Sequence, residues 1–198
     1  KCVAIRNCND YENIRMLAGD GIPYDKSEFN IVTVARLSKE KGIERAIEAV
    51  KRCVKKGYKL HYHIVGSGDQ EEYLKGITGE YGLENIVTFY GNQSNPYPYI
   101  KNADLFLLTS YHEAAPMVFD EAACLGVPVL ATETTSTTEM IVERGSGFVC
   151  DNSQDAITDE LIRLLVNRND LVSVKEALGR REFTNKDVID KVSVVLDG

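Results

Sequence analysis

Residues 104–132 read DLFLLTSYHEAAPMVFDEAACLGVPVLAT. The apolar run Asp104–Thr109 has the length and content of a buried strand. A short loop holding Glu113 comes next, and Pro116 stands where a helix would begin, a position that tolerates its missing N–H. Glu121 lies on that helix, Gly126 ends it, and the apolar run Val127–Ala131 comes after. Strands this free of polar residues belong to a parallel sheet covered on both faces.

The same alternation extends in both directions. Towards the N-terminus, Asn30–Ala35 reads as a strand and 36–42 as a loop. Residues 43–56 read as a helix, whose positions Ile43, Ala46, Ile47, Val50 and Val54 mark one face at helical spacing. Leu60, Tyr62 and Ile64 alternate along a strand that ends at the GSG of 66–68, and a helix then runs to about Tyr81. Ile86–Tyr90 is a strand and Asn95–Asn102 a short helix. Towards the C-terminus, Glu139–Arg144 reads as a helical turn, Gly147–Cys150 as a last strand, and Gln154–Asn167 and the tail to Leu196 as helical. The expected fold is α/β: a single Rossmann-like domain, an open parallel sheet with helices on both faces. Its core is expected over 29–170, after an interdomain lead-in segment 1–28 (apolar Val3–Ile5, polar residues, a Gly21-Ile22-Pro23 turn) and before a helical tail 171–198.

Composition narrows the function. The 198 residues are 43% hydrophobic, enough for one core. A net charge of −7 argues against general nucleic-acid binding. The charge is uneven: residues 36–59 carry nine basic and three acidic side chains, net +6, leaving −13 elsewhere. The lysine-rich face of the first sheet-covering helix (Lys51, Arg52, Lys55, Lys56) reads as solvated, with weak contact to anionic lipid as the sharper alternative. Five cysteines without a C-x-x-C read as reduced thiols of a cytoplasmic protein. No apolar run has the length of a membrane span. The chain opens on Lys1, which suggests part of something longer.

Ligands in such sheets bind beyond the C-terminal strand ends. Arg36, Gly66, Gly91, Glu113 and Thr132 all come just after strands and therefore gather at one edge. Arg36 and Lys41 flank a tight loop, and a guanidinium with an ammonium neutralises a diphosphate without a metal. Glu113 and Glu121, eight positions apart, can accept hydroxyls beside that anion, and the backbone at a helix start supplies N–H groups. Phosphate with polyol is the chemistry of a sugar nucleotide. Each residue alone is equally a solvated charge; the combination carries the reading. The GSG turn lacks the third glycine of a dinucleotide fingerprint, since position 71 is Glu, and this disfavours a dehydrogenase. His61 and His63 share a strand face and read as polar-face residues, not metal ligands.

The run VARLSKEKG at 34–42, GSG at 66–68, VTFYG at 87–91, and the Glu113/Glu121 pair with GVPV at 126–129 resemble the donor-binding half of a family 4 retaining glycosyltransferase. The resemblance covers about residues 30–150 and implies half of a two-domain GT-B enzyme. It implies that Arg36 and Lys41 hold the donor diphosphate and stabilise the leaving group, with Glu113 on the transferred sugar. It also implies that backbone at Ala115, Pro116, Met117 and Val118 meets the phosphate, that Glu121 accepts from the ribose, and that Gly66 and Gln93 border the nucleotide. No cofactor and no divalent metal are expected. The partners implied are a nucleotide sugar, UDP- ahead of GDP- on frequency alone, and an N-terminal acceptor domain, without which the chain binds donor but transfers little. Expected products are surface polysaccharide or glycolipid. Two positions depart from the pattern: Ala114 replaces a glycine, and TTSTTE at 134–139 lacks a glycine pair, keeping only Glu139 and leaving Ser136 without an assigned contact. A non-catalytic nucleotide-binding module, a sugar-nucleotide epimerase and a glycogen-type synthase remain alternatives on the same fold.

Overall fold

In a computed structural model that describes residues 8–186, 188–189 and 192–193, six strands form one all-parallel sheet. These are β1 (Phe29–Val34), β2 (Leu60–Val65), β3 (Val87–Phe89), β4 (Leu105–Leu108), β5 (Val129–Thr132) and β6 (Gly147–Cys150), in the order β3-β2-β1-β4-β5-β6. This is the doubly wound order, and the chain reverses its winding direction between β1 and β4. The two strands are held in register by Ile31 opposite Leu105 and Val32 opposite Phe106.

Helices cover both faces. On one side α2 (Ile43–Lys55), α3 (Glu71–Glu80) and α6 (Gln154–Val166) pack over Ile31, Tyr62, Ile64, Leu105 and Leu107. On the other, α1 (Tyr11–Ala18), α4 (Tyr97–Lys101) and α5 (Val118–Cys124) cover Val32, Phe106, Leu108 and Val129. Alternate residues of β1 and β4 thus enter opposite cores; β4 is wholly apolar and buried, and β1 is buried up to Thr33 although it includes the polar Asn30 and Thr33. The helical turn expected at 139–144 is a π-helix over Thr138–Glu143. Among the described residues, no helix is long and apolar enough to cross a membrane.

Three details differ from the sequence reading. The lead-in segment contains α1, capped by Asp10, whose side chain accepts from the Asn13 N–H; Val3–Ile5 lies outside the described residues. The tail is not one continuous helix: α7 (Arg168–Arg180) ends at an extended Arg181, and Phe183 then packs on Tyr11 with ring centroids 5.5 Å apart. Asn185 completes this contact by bonding both the N–H and the carbonyl of Asn9. The cationic face of α2 is only partly solvated: Glu48 accepts from Lys51 and Arg52, and Asp155 accepts from Arg52, whereas Lys55 and Lys56 are exposed.

His63 is a fourth difference, being buried and not on a polar face. Tyr24, from the loop before β1, stacks on its ring at 3.9 Å. The Asn30 amide donates to the carbonyls of Asp25 and Glu28, so its oxygen can only accept. His63 Nε2, 3.1 Å away, must therefore carry the proton, and Nδ1 accepts from the Tyr90 hydroxyl at 3.0 Å. Burial, and secondarily His61, push the His63 pKa down to about 3. Below its ordinary value of 6.5 the unfolded chain takes up a proton that the folded chain refuses. This contribution is therefore complete above pH 6.5 and is lost as pH falls towards 3. Urea denaturation across this window should show stability falling faster in the wild type than in His63→Gln, by up to about 1.4 kcal/mol per pH unit. Parallel curves would contradict the assignment.

Candidate active site

At the point between β1 and β4 where the winding reverses, the loop after β1 (35–42) and the loop after β4 (109–117) face each other. The first contains a 3₁₀ turn, Lys39–Lys41, and closes at Gly42 in a left-handed conformation, φ 58°. A side chain at Gly42 would collide with the Thr109 carbonyl, which is why the loops can approach so closely. The Thr109 hydroxyl donates to the Gly42 carbonyl at 2.7 Å, and the Tyr111 N–H donates to the Glu40 carbonyl at 2.9 Å.

Across this seam Lys41 Nζ lies 2.6 Å from Glu113 Oε1. The Ser110 hydroxyl donates to the same oxygen at 2.7 Å. The side chains are 20% and 9% exposed, so the pair is largely withdrawn from water while its rim stays open. Beside it is a hollow of about 720 Å³, bordered by Lys41, Tyr111, His112, Glu113, Glu133 and Thr134. That volume suits a small organic ligand. Among the described residues, Thr134 Oγ1 has no hydrogen-bond partner although it is buried, and the same holds for Ser136 Oγ further along the same loop. Orphaned buried hydroxyls cost stability unless something binds them.

Other residues singled out in the sequence stand apart from this pair. Arg36 is exposed and forms an ion pair with Glu40 of its own loop; this guanidinium holds the Glu40 carboxyl below its usual range. Glu121 sits on α5, where burial, and then the Asp120 charge, push its carboxyl up. Ala115–Met117 lead into α5, whose first turn has no side-chain cap, although the Phe119 N–H donates back to the Pro116 carbonyl at 3.3 Å. The Gln93 amide folds back onto the Tyr90 carbonyl at 2.7 Å. Gly66 and Gly68 answer an internal demand: side chains there would strike the carbonyls of Ala35 and Leu37, because the loop after β1 lies against them. Among the described residues, no group of three or more His, Cys, Asp or Glu is arranged to hold a metal.

The sequence reading missed the residues that fasten these loops. Arg45 on α2 is 6% exposed. Its Nε and Nη2 donate to the Thr109 carbonyl and its Nη1 to Asn152 Oδ1 at 2.7 Å. The Asn152 amide reaches the carbonyls of Tyr111 and Glu133, both at 3.1 Å. The Tyr111 ring covers the guanidinium, whose charge centre lies 3.9 Å from the ring centroid. No local signal marked Arg45, which stands between Glu44 and Ala46 in a basic segment.

The family model described as Glycosyl transferases group 1 matches residues 21–180. The amylovoran biosynthesis glycosyltransferase AmsK of Erwinia amylovora is 33% identical over 153 residues, covering 73% of this chain and 38% of AmsK. The capsular polysaccharide biosynthesis glycosyltransferase CapM of Staphylococcus aureus is 28% identical over 159 residues, covering 80% of this chain and 42% of CapM. The chain thus spans less than half the length of these relatives. Among solved structures, a variant of S. aureus TarM in complex with fondaparinux, alpha-GlcNAc-glycerol and UDP superposes with a TM-score of 0.78 at 18% identity, over 91% of this chain and 38% of TarM. Anabaena HepE in complex with UDP gives 0.72 at 22%, over 86% of this chain and 49% of HepE.

Removing one member of a shielded ion pair leaves the other charge desolvated. Lys41→Met should therefore cost about 1–3 kcal/mol in urea denaturation. The double variant Lys41→Met/Glu113→Gln should cost less than the sum of its single changes. Additive costs would show that the two side chains do not interact in solution.

Proposed function

Since the chain belongs to the group 1 glycosyltransferases, we propose that it is the donor-nucleotide half of a retaining enzyme that moves a sugar from a nucleoside diphosphate sugar to a saccharide or lipid-linked acceptor. The observation that carries this reading is the Lys41–Glu113 pair beside an open hollow at the winding reversal. Without a ligand, the ammonium and carboxylate satisfy each other. A diphosphate entering the hollow offers Lys41 a more highly charged partner. As Lys41 turns to it, Glu113 keeps the Ser110 hydrogen bond and gains free lone pairs for sugar hydroxyls.

Each residue then has a defined task. Lys41, with Arg36 swung from Glu40, neutralises charge on the leaving diphosphate as the anomeric C–O bond breaks. Glu113 orients the sugar and favours the positive charge that develops at the anomeric carbon. Thr134, which borders the hollow and whose hydroxyl has no partner among the described residues, supplies a further contact. Backbone N–H groups of the segment 115–118 receive phosphate oxygen, and Glu121 accepts from the ribose. Two cations suffice for the diphosphate, so no divalent metal is needed. UDP is the nucleotide we favour; relatives with solved structures, TarM and HepE, were crystallised with UDP. An acceptor-binding domain completes the enzyme in this reading, and the relatives' greater length leaves room for one.

Calorimetric titration with UDP, GDP and ADP, with and without magnesium, tests the reading. UDP should bind with or without the metal, and Lys41→Ala should weaken it tenfold or more, a loss of about 1.4 kcal/mol or greater. In the full-length protein, Glu113→Gln should lower turnover of UDP-sugars by about 10²–10³ while changing UDP affinity little. Binding of none of the three nucleotides would refute the donor role. Equal losses of turnover and of affinity would remove Glu113 from the reaction itself.

A further inference from the structure

A second hollow, of about 490 Å³, adjoins the first. It lies between α2, α3 and the loops after β4 and β6, and Tyr111 borders both hollows. We propose that it binds a neutral saccharide.

The lining has the two components that saccharides require: flat aromatic surface for the C–H faces of pyranose rings, and fixed polar groups for hydroxyls. Tyr73 and Tyr111 are 53% and 38% exposed, leaving aromatic surface open to the groove. Tyr111 is held rigid. Buried Arg45 occupies its inner face, and its hydroxyl donates to Glu44 Oε1 at 2.9 Å. The Tyr81 ring is likewise backed by Lys51, whose Nζ lies 3.3 Å from the ring centroid. Rings fixed in this way lose little freedom when a ligand stacks on them. Glu44 and Ser153 supply acceptors and a hydroxyl at the groove wall.

Charge selects among ligands. Glu44 and Glu48 border the groove; Glu48 is paired with Lys51 and Arg52, and the buried cation Arg45 is already engaged by Thr109, Asn152 and Tyr111. Among the described residues, the cations beside the groove (Arg45, Lys51 and Arg52) already have partners, which disfavours a diphosphate or an acidic polymer, whereas a neutral hydroxyl finds an acceptor in Glu44. Because Tyr111 separates the two hollows, one saccharide chain can lie across it from the groove to the reaction hollow. Such a role in transfer rests on the donor reading above; saccharide binding by the groove does not.

The test is an NMR titration of the isotopically labelled chain, following tyrosine ring signals. The probes are glucose, galactose, mannose, N-acetylglucosamine, cellotetraose and maltotetraose, each with and without saturating UDP. At least one saccharide should move the signals of Tyr73, Tyr81 and Tyr111 in both conditions. Tyr73→Ala, an exposed change away from the ion pair, should weaken that saccharide about tenfold while leaving UDP affinity unchanged. Stationary tyrosine signals with every probe would overturn the proposal, and so would undiminished binding by Tyr73→Ala. Loss of UDP binding with saccharide binding retained would strike the donor reading alone.

Discussion

The Arg45 guanidinium holds together loops that the sheet alone would leave apart. Parallel strands deliver their C-terminal ends to one edge but do not fix the paths of the loops beyond them. Here one buried cation takes the Thr109 carbonyl from the β4 loop and Asn152 from the β6 loop, and lies under the Tyr111 ring. Asn152 adds the carbonyl of Glu133 from the β5 loop. Arg45 belongs to α2, so the β1 loop is drawn in too. Burial lowers its pKa, yet an arginine starts so high that it remains charged. The desolvation cost is offset by directed bonds on three of its nitrogens.

Once the loops are fastened, the Lys41–Glu113 contact is a consequence. Lys41 closes a turn that Gly42 presses against Thr109, and Glu113 stands four residues beyond the same Thr109. The ion pair is thus placed from both sides by one anchor. It is shielded enough for its charges to act strongly and open enough for a ligand to replace one partner. In the function proposed above, a diphosphate with a sugar attached would match both halves of that exchange.

Much of the architecture was legible in the sequence because parallel strands announce themselves. The runs at 104–109 and 127–131 contain little that water would accept, and Gly42, Gly57 and Gly82 punctuate between elements. Lys41 and Glu113 were legible as charges placed just after strands, and the structure does bring them together. The features that stayed hidden depend on contacts between distant positions. Helix α1 buries only Ile14 and Ala18, too narrow a stripe to show a period. Arg45 reads as one more cation in a basic segment, because its acceptor stands 64 residues away. His63 looks like an outward strand position until Tyr24 folds over it. Gly66 suggests ligand approach, yet the backbone that approaches it belongs to the chain's own β1 loop.

A crystal structure of the full-length protein with UDP bound bears most directly on the exchange of partners at Glu113. The account predicts Lys41 Nζ within hydrogen-bond distance of a diphosphate oxygen, and Glu113 still held by Ser110 but parted from Lys41. A diphosphate bound elsewhere, with the Lys41–Glu113 contact intact, would contradict it.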